Sequence, residues 1–316
     1  MIRYSLDSPY NMSVFLTIGT YDGVHLGHQK IIKALIRDGL KRNTGSALAY
    51  FPFPPKFFFS NETTNCLITL PEEREERIRN LRVENITEVP FNAAMAGMSA
   101  EKFFNDIILS AHEAAGLCVG QDFAFGHNRR GNTGFLQAHC AAAGIRFKAM
   151  SFVTFGGHKI SSSLIRTFLR NGHVEMANKC LGWNYTASGK VVKGAGLGRR
   201  LGFPTANLDA HPAKILPPGI FAVRVRFDKG VFYGVANVGR RPTVNSLGGR
   251  LLLEVHILDF DREIYGRVLE VEFIRHLRPE KKFSSKEALQ RQILQDIRTA
   301  RKYFKITAAA RRAQRG

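Results

Sequence analysis

No stretch of this sequence stays apolar for the roughly 20 residues that a membrane-crossing helix needs. The first residues, MIRYSLDSPYNMS, hold no apolar central region, so no secretory signal is expected and a cytoplasmic location is. Cysteine occurs only four times, as Cys66, Cys118, Cys140 and Cys180. Their wide scatter matches neither a metal-ligand spacing nor a disulfide framework, so reduced core or surface residues are expected. There is no internal repeat and no Gly-Lys-Ser/Thr run of the Walker kind. Acids are scarce: 26 Asp and Glu stand against 46 Lys and Arg, a formal charge of +20 over 316 residues. Such an excess suits polyanionic partners, either nucleic acid or small substrates such as ATP, and a generally basic proteome would give it too. Part of it lies in residues 305–316, where Lys305, Arg311, Arg312 and Arg315 give a basic tail that is expected to be frayed.

The length allows two domains, each with its own core. Val14 to Ile18 reads as a buried strand. GTYDGVHLGHQ (19–29) follows, then Ile31, Ile32, Leu35 and Ile36 at helical spacing, giving strand, glycine turn and helix. His25 and His28 stand three apart on one face near the helix start, flanking Gly27. Two imidazoles at a strand's C-terminal end, beside a helix N-terminus, can donate to phosphate oxygens and stabilise charge on a leaving group. A helix start with two surface histidines is the plainer alternative. Ser46 to Tyr50 is a second strand. PFPPKFFF (52–59) is expected to be irregular because of its prolines, with phenylalanines packed in the core or lining a flat-ring pocket. Thr69 to Glu72 reads as a capping box opening a helix over Pro71 to Leu81. Ser99 starts another, with Phe103, Phe104, Ile107 and Ile108 on its buried face. Leu117 to Val119 is a strand leading into GQDFAFG (120–126) and the arginine–glycine loop HNRRGNTGF (127–135). ISSSLIR (160–166) is a helix start with serine caps and Arg166 on its first turn, which fits an anion site or an ordinary cap. Alternating strands and helices imply a parallel sheet with crossover helices.

From Tyr185 the period becomes two. In Gly219 to Asp228, Phe221, Val223, Val225 and Phe227 alternate with Ala222, Arg224, Arg226 and Asp228. Val231 to Val238, Leu251 to Phe260 and Arg267 to Arg275 also read as strands, suggesting an antiparallel barrel or sandwich. Ser284 to Glu287 is a capping box, and Leu289, Ile293 and Ile297 give a helical stripe expected to cover the barrel's edge or mouth. The shift of period places a boundary near Trp183. GAGLGRRLGFPTANL (194–208) is the central stretch of this half. Gly194, Gly196 and Gly198 let the backbone come close to a ligand, and free N–H groups there can cradle an anion. Pro204 then sets an extended direction that puts Thr205 and Asn207 on one face. A hydroxyl and an amide oxygen beside a glycine loop suit a hard cation carrying phosphates. A glycine-rich hairpin loop with solvated arginines fits the spacing equally. Glu254 opposes Leu253, Val255 and Ile257 on its strand and is a candidate general base, or else an outward-facing glutamate.

Together these segments resemble the bacterial bifunctional riboflavin kinase/FAD synthetase family over residues 14–304. GTYDGVHLGHQ is similar to the adenylyltransferase signature with its His-x-Gly-His, ISSSLIR to ISS-x-x-I-R, and GQDFAFG to G-x-D/N-F-x-F-G. GRRLGFPTANL, PPGIFAV (217–223), VANVGRRPT (235–243) and LEVHILDFD (253–261) resemble the kinase signatures. The resemblance implies a Rossmann-like α/β nucleotidyltransferase domain over residues 1–183. A six-stranded antiparallel β-barrel with a C-terminal helix would follow over 184–304, and then the basic tail. It implies that riboflavin is phosphorylated by ATP to FMN, with Thr205 and Asn207 placing Mg²⁺ and Glu254 as the base. FMN would then attack the α-phosphorus of a second ATP, with His25 and His28 stabilising that transition state and pyrophosphate leaving. It further implies ATP and phosphate contacts at Gly19, Asp22, Ser162, Arg166, Gly194, Gly196, Gly198 and Arg199. Flavin contacts fall at Asp122, Phe123, Phe125, Phe203 and Arg241. Riboflavin, FMN, FAD and ATP are the implied partners, with no membrane and no nucleic acid among them. Two departures stand out: Phe51-Pro52-Phe53-Pro54 replaces Glu-Pro-His-Pro, and Ser163 and Leu164 replace threonine and a polar residue. Two other readings are a riboflavin kinase with a weak or repurposed N-terminal half, and a basic nucleic-acid binder keeping an enzyme-like fold.

Overall fold

The computed structural model describes residues 14–60, 63–240 and 251–305. By compactness the chain divides into two units, Met1–Thr63 with Leu67–Ser162, and Thr64–Cys66 with Ser163–Gly316.

The first unit alternates strands and helices. Its order is β1 (Val14–Gly19), α1 (Leu26–Leu40), β2 (Gly45–Tyr50), α2 (Pro55–Ser60), α3 (Pro71–Asn80) and β3 (Asn85–Glu88). Then come α4 (Ala93–Ala96), α5 (Ala100–Lys102) running into a π-helical stretch Phe103–Ser110, β4 (Ala114–Gly120), α6 (Thr133–Ala142) and β5 (Arg146–Met150). A short hairpin of β6 (Thr154–Phe155) and β7 (His158–Lys159) closes it. The sheet is parallel throughout, in the order β3-β2-β1-β4-β5. Its strands are apolar on both faces because helices cover both. Leu16, Ile18, Ala47, Ala49, Leu117 and Val119 pack with Phe103, Phe104, Ile107 and Ile108 on one side. Leu48 and Tyr50 pack with Ile32 and Ile78 on another. The winding reverses between β1 and β4, so the turns after these two strands flank the crevice where open α/β sheets bind ligands.

Two local expectations fail here. Residues 55–60 form helix α2 despite the prolines, because Pro55 is its first residue, where a missing N–H costs nothing. Thr69 does not cap α3: the cap position is Leu70, whose N–H donates to Glu73 at 3.0 Å, and the Thr69 hydroxyl is turned to the β1–α1 turn instead.

The second unit holds α7 (Ser162–Arg170, starting on the last residue of the first unit), α8 (Val174–Leu181) and a closed barrel. Its elements are β8 (Thr186–Val192), α9 (Leu197–Arg200), β9 (Ala206–Ala210), β10 (Gly219–Phe227), β11 (Gly230–Arg240), β12 (Leu251–Ile257), β13 (Val268–Arg278) and α10 (Lys286–Tyr303). The strands close antiparallel in the order β10-β11-β12-β9-β8-β13. Phe221, Val223, Val225, Ala236, Val238, Leu253, Val255 and Phe273 fill the barrel. Helix α10 packs on β10, β11 and β13 through Ile297 and Ala300. Its cap is Ser285, accepting from Ala288 N at 3.2 Å, one residue after the expected Ser284. Among the described residues no helix is long and apolar enough to cross a membrane.

Candidate active sites

In the first unit the β1–α1 turn brings the two histidines together. His25 is the N-cap of α1, and its Nδ1 accepts from His28 N at 3.3 Å. The two rings stack at 3.6 Å between centroids, 17° apart. A β-carbon on Gly27 would meet His25 Cε1 at 3.0 Å, so glycine leaves the imidazole room to fold back over the helix start. Tyr21 lies tilted against His28 at 4.9 Å, its hydroxyl bonded to Thr17, whose Oγ1 donates to the Cys118 carbonyl. Burial pushes the Tyr21 phenol well above its usual range. Paired imidazoles at the positive end of a helix can donate to phosphate oxygens.

The remaining residues expected in this half are more scattered. Gly19 ends β1, its carbonyl accepting from Phe51 N. Ser162, the last residue of the first unit, donates through Oγ to the Asp22 carbonyl at 2.9 Å within the histidine turn. The Asp22 carboxylate is enclosed, accepting from Ile68 N, Thr69 N and Thr69 Oγ1. Arg166 belongs to the second unit, where it is buried and its Nε donates to the Cys66 carbonyl at 2.8 Å. Asp122 pairs with Lys159. Phe125 is buried and stacks on half-buried Phe123 at 5.6 Å.

In the second unit, Asn207 on β9, Glu254 on β12 and Asn237 on β11 pair directly across three adjacent strands. They lie on the face opposite buried Leu253 and Val255, and so on the outside of the barrel. The glycine loop wraps over this row. A β-carbon on Gly194 would stand 2.4 Å from Asn207 Nδ2, so the backbone lies directly on the carboxamide. Gly196 heads α9 in the left-handed region, Gly198 lies against Thr205, and Arg199 is exposed. His256 Nδ1 donates to the Pro204 carbonyl at 2.9 Å, and its ring meets Phe203 edge-on. Burial lowers the His256 pKa, so the ring is neutral near pH 7. Thr205, Asn207 and Glu254 offer hard oxygens beside the glycine loop, a donor set that fits Mg²⁺ with phosphates. Among the described residues no group of three His, Cys, Asp or Glu side chains could hold a metal.

Sequence reasoning passed over Asn237. Its Oδ1 is buried and has no hydrogen-bond partner among the described residues. The signal was available as an amide inside the apolar run of β11, two residues from Gly239. Arg241 lies outside the described residues. The four cysteines are free and buried, and burial pushes the Cys118 thiol up to about 12 and Cys140 to about 11. Both are inert as nucleophiles near neutrality.

A riboflavin kinase family model matches residues 181–304 and an FAD synthetase model matches residues 7–164. The chain is 36% identical over 290 residues to the bifunctional riboflavin kinase/FMN adenylyltransferase of Haemophilus influenzae, covering 92% of this chain and 94% of that protein. The protein of the same name from Escherichia coli is 36% identical over 298 residues, covering 93% and 94%. A solved structure titled as a macrolide-efflux protein from Streptococcus pneumoniae superposes with a TM-score of 0.86 at 27% identity, covering 95% of this chain and 97% of that one.

Proposed function

Because this chain belongs to the bifunctional riboflavin kinase/FMN adenylyltransferase family, we propose that each compact unit carries one of the two steps at the site described above. The chain is a transferase that phosphorylates riboflavin to FMN and adenylylates FMN to FAD, with ATP as co-substrate in both steps. The assignment of the kinase step rests on one observation, the Asn207–Glu254 cross-strand pair beneath the glycine loop.

In the kinase step Glu254 takes the proton of riboflavin's 5′-hydroxyl as its oxygen attacks the γ-phosphorus, and ADP leaves. Gly194, Gly196, Gly198 and exposed Arg199 give the phosphates a close backbone and a cation. Thr205 and Asn207 would hold Mg²⁺, which when bound neutralises phosphate charge. Asn237 flanks Glu254 on its other side, and Phe203 offers an apolar wall for the flavin.

In the adenylyl step an FMN phosphate oxygen attacks the α-phosphorus of ATP and pyrophosphate leaves. His25 and His28 donate to the oxygens on which charge grows, acting in the transition state more than in the ground state. Ser162 holds the turn that carries them. Phe123 and Asp122, after β4, flank the same crevice and are the flavin side of it. In this reading the reactions would run in the cytoplasm, where ATP is supplied and free thiols persist, and the four free cysteines support it.

The test is purified protein with riboflavin, ATP and Mg²⁺, flavins being separated over time. FMN should rise first and FAD follow. Glu254→Gln should abolish FMN formation while leaving FMN-to-FAD conversion, and His28→Ala should do the reverse. Equal loss of both steps in either variant contradicts the separate sites.

A further inference from the structure

Arg74 and Asp22 form an ion pair at 3.5 Å with both side chains at 0% exposure. Neither was expected to work with the other, and the pair lies in the wall behind the histidine turn. Asp22 sits within a turn whose backbone is unusual: Tyr21 has φ 52°, Gly23 87° and Val24 37°. Two of these three are not glycine, so the turn holds its shape only where its surroundings impose it.

The surroundings are specific. Ile68 N, Thr69 N and Thr69 Oγ1 donate to the Asp22 carboxylate, and Gly23 N donates back to Thr69 Oγ1 at 2.9 Å. Arg74 completes the clamp. One NH group donates to the carbonyls of Phe51 at 2.8 Å and Pro52 at 3.1 Å, just after β2. The other donates to the Thr69 carbonyl at 3.0 Å and faces Asp22, and Nε reaches Thr69 Oγ1 at 3.4 Å. The guanidinium also lies over the Tyr50 ring at 5.4 Å. A single planar fork therefore joins the end of β2, the 68–70 segment and the turn that begins α1. Lysine has the charge but not the fork.

We propose that Arg74 is a positioning residue for adenylyl transfer: through Asp22 it fixes the turn that aims His25 and His28. This rests on the reading of the two histidines given above. A displaced imidazole would still let ATP and FMN bind but would meet the transition state badly, so the loss falls on kcat and not on KM.

Arg74→Lys keeps the positive charge beside Asp22 and is the first variant. Steady-state rates of FMN-to-FAD conversion should show kcat lower by at least about 10-fold, against the roughly 100-fold that a 1 Å misplacement can cause. KM for ATP and FMN should stay within about threefold, and riboflavin kinase activity of the same preparation should be unchanged. The double variant Asp22→Asn/Arg74→Met removes both buried charges, and the same kcat loss is expected because the fork is still missing. Unchanged kcat in Arg74→Lys, a rise in KM alone, a parallel fall of the kinase step, or recovery in the double variant would each overturn the proposal. His28→Ala is run alongside. Full adenylyl transfer by His28→Ala would overturn the histidine reading and the Arg74 proposal with it, whereas its loss beside a fully active Arg74→Lys would overturn the Arg74 proposal alone.

Discussion

A methyl group on Gly194 would have to displace either the loop or the Asn207 carboxamide, because its carbon would stand 2.4 Å from Nδ2. Gly194 itself is exposed, so the substitution removes no packing. Gly194→Ala should therefore cost at most about 1–3 kcal/mol of stability while lowering the riboflavin kinase rate about 10- to 100-fold. Assaying both half-reactions on one preparation checks this, since FAD formation from supplied FMN should not move. Asn237 allows a sharper separation of fold from function. An orphaned buried acceptor is a burden to the folded state, and an apolar group of similar shape relieves it. Asn237→Leu should hold or raise stability by up to about 1 kcal/mol and still slow the kinase step. Lost stability with an intact rate would mean that the amide serves the fold instead. Both residues were within reach of the sequence. Gly194 was singled out because spacing marks a close approach, whereas Asn237 was missed because no periodicity shows which in-strand amide lacks a partner.

Elements were legible where one rule governed them and less so where two competed. The parallel sheet, the barrel and the stripe of α10 all follow from periods of 2 and 3.6. Helix α2 did not, because the proline-as-breaker rule concealed that proline is welcome at a helix's first residue. Thr69 was read as a cap because its local spacing fits one, but a tertiary partner, Gly23 N, claims the hydroxyl. That α10 packs on the barrel was legible from its stripe, but the ion pairs that fasten it were not, since they join residues far apart in sequence. Asp296 is buried and accepts from Arg278 Nε at 3.0 Å and from the adjacent NH group at 2.8 Å, and Arg301 grips Asp259 with two bonds of 2.7 and 2.8 Å. Removing one partner of such a pair strands a charge. Asp296→Ala should destabilise the barrel by about 3 kcal/mol. Residual activities after graded heating check it: the kinase step should fail at a lower temperature than in the parent, and adenylyl transfer should fail at the parent's temperature.

At the scale of the whole molecule, the net charge of +20 fits an enzyme that handles ATP twice, and it named neither site by itself. Electrostatics become informative once burial is known. Burial lowers the pKa of His112 in the first unit and of His256 and His276 in the second. In the unfolded chain each would titrate near about 6.5. Below that pH the unfolded chain takes up protons that the folded chain resists. The histidines' contribution is therefore complete above about pH 6.5 and is lost as pH falls through the window down to the lowered folded values. The Nδ1–H bond from His256 to the Pro204 carbonyl, next to Thr205, survives protonation, so acid reaches the kinase step through the barrel's stability and not through that bond. Thermal melts at pH 7.5 and 5.5 should show both units weaker at the lower pH. The barrel carries two of the three histidines, so kinase activity should be the first lost on acid incubation at fixed temperature. His256→Gln, which cannot take up the proton, should narrow the gap between the two melts of the barrel. A pH-independent melt, or an unchanged gap in His256→Gln, would show that these imidazoles are not what makes the fold acid-sensitive.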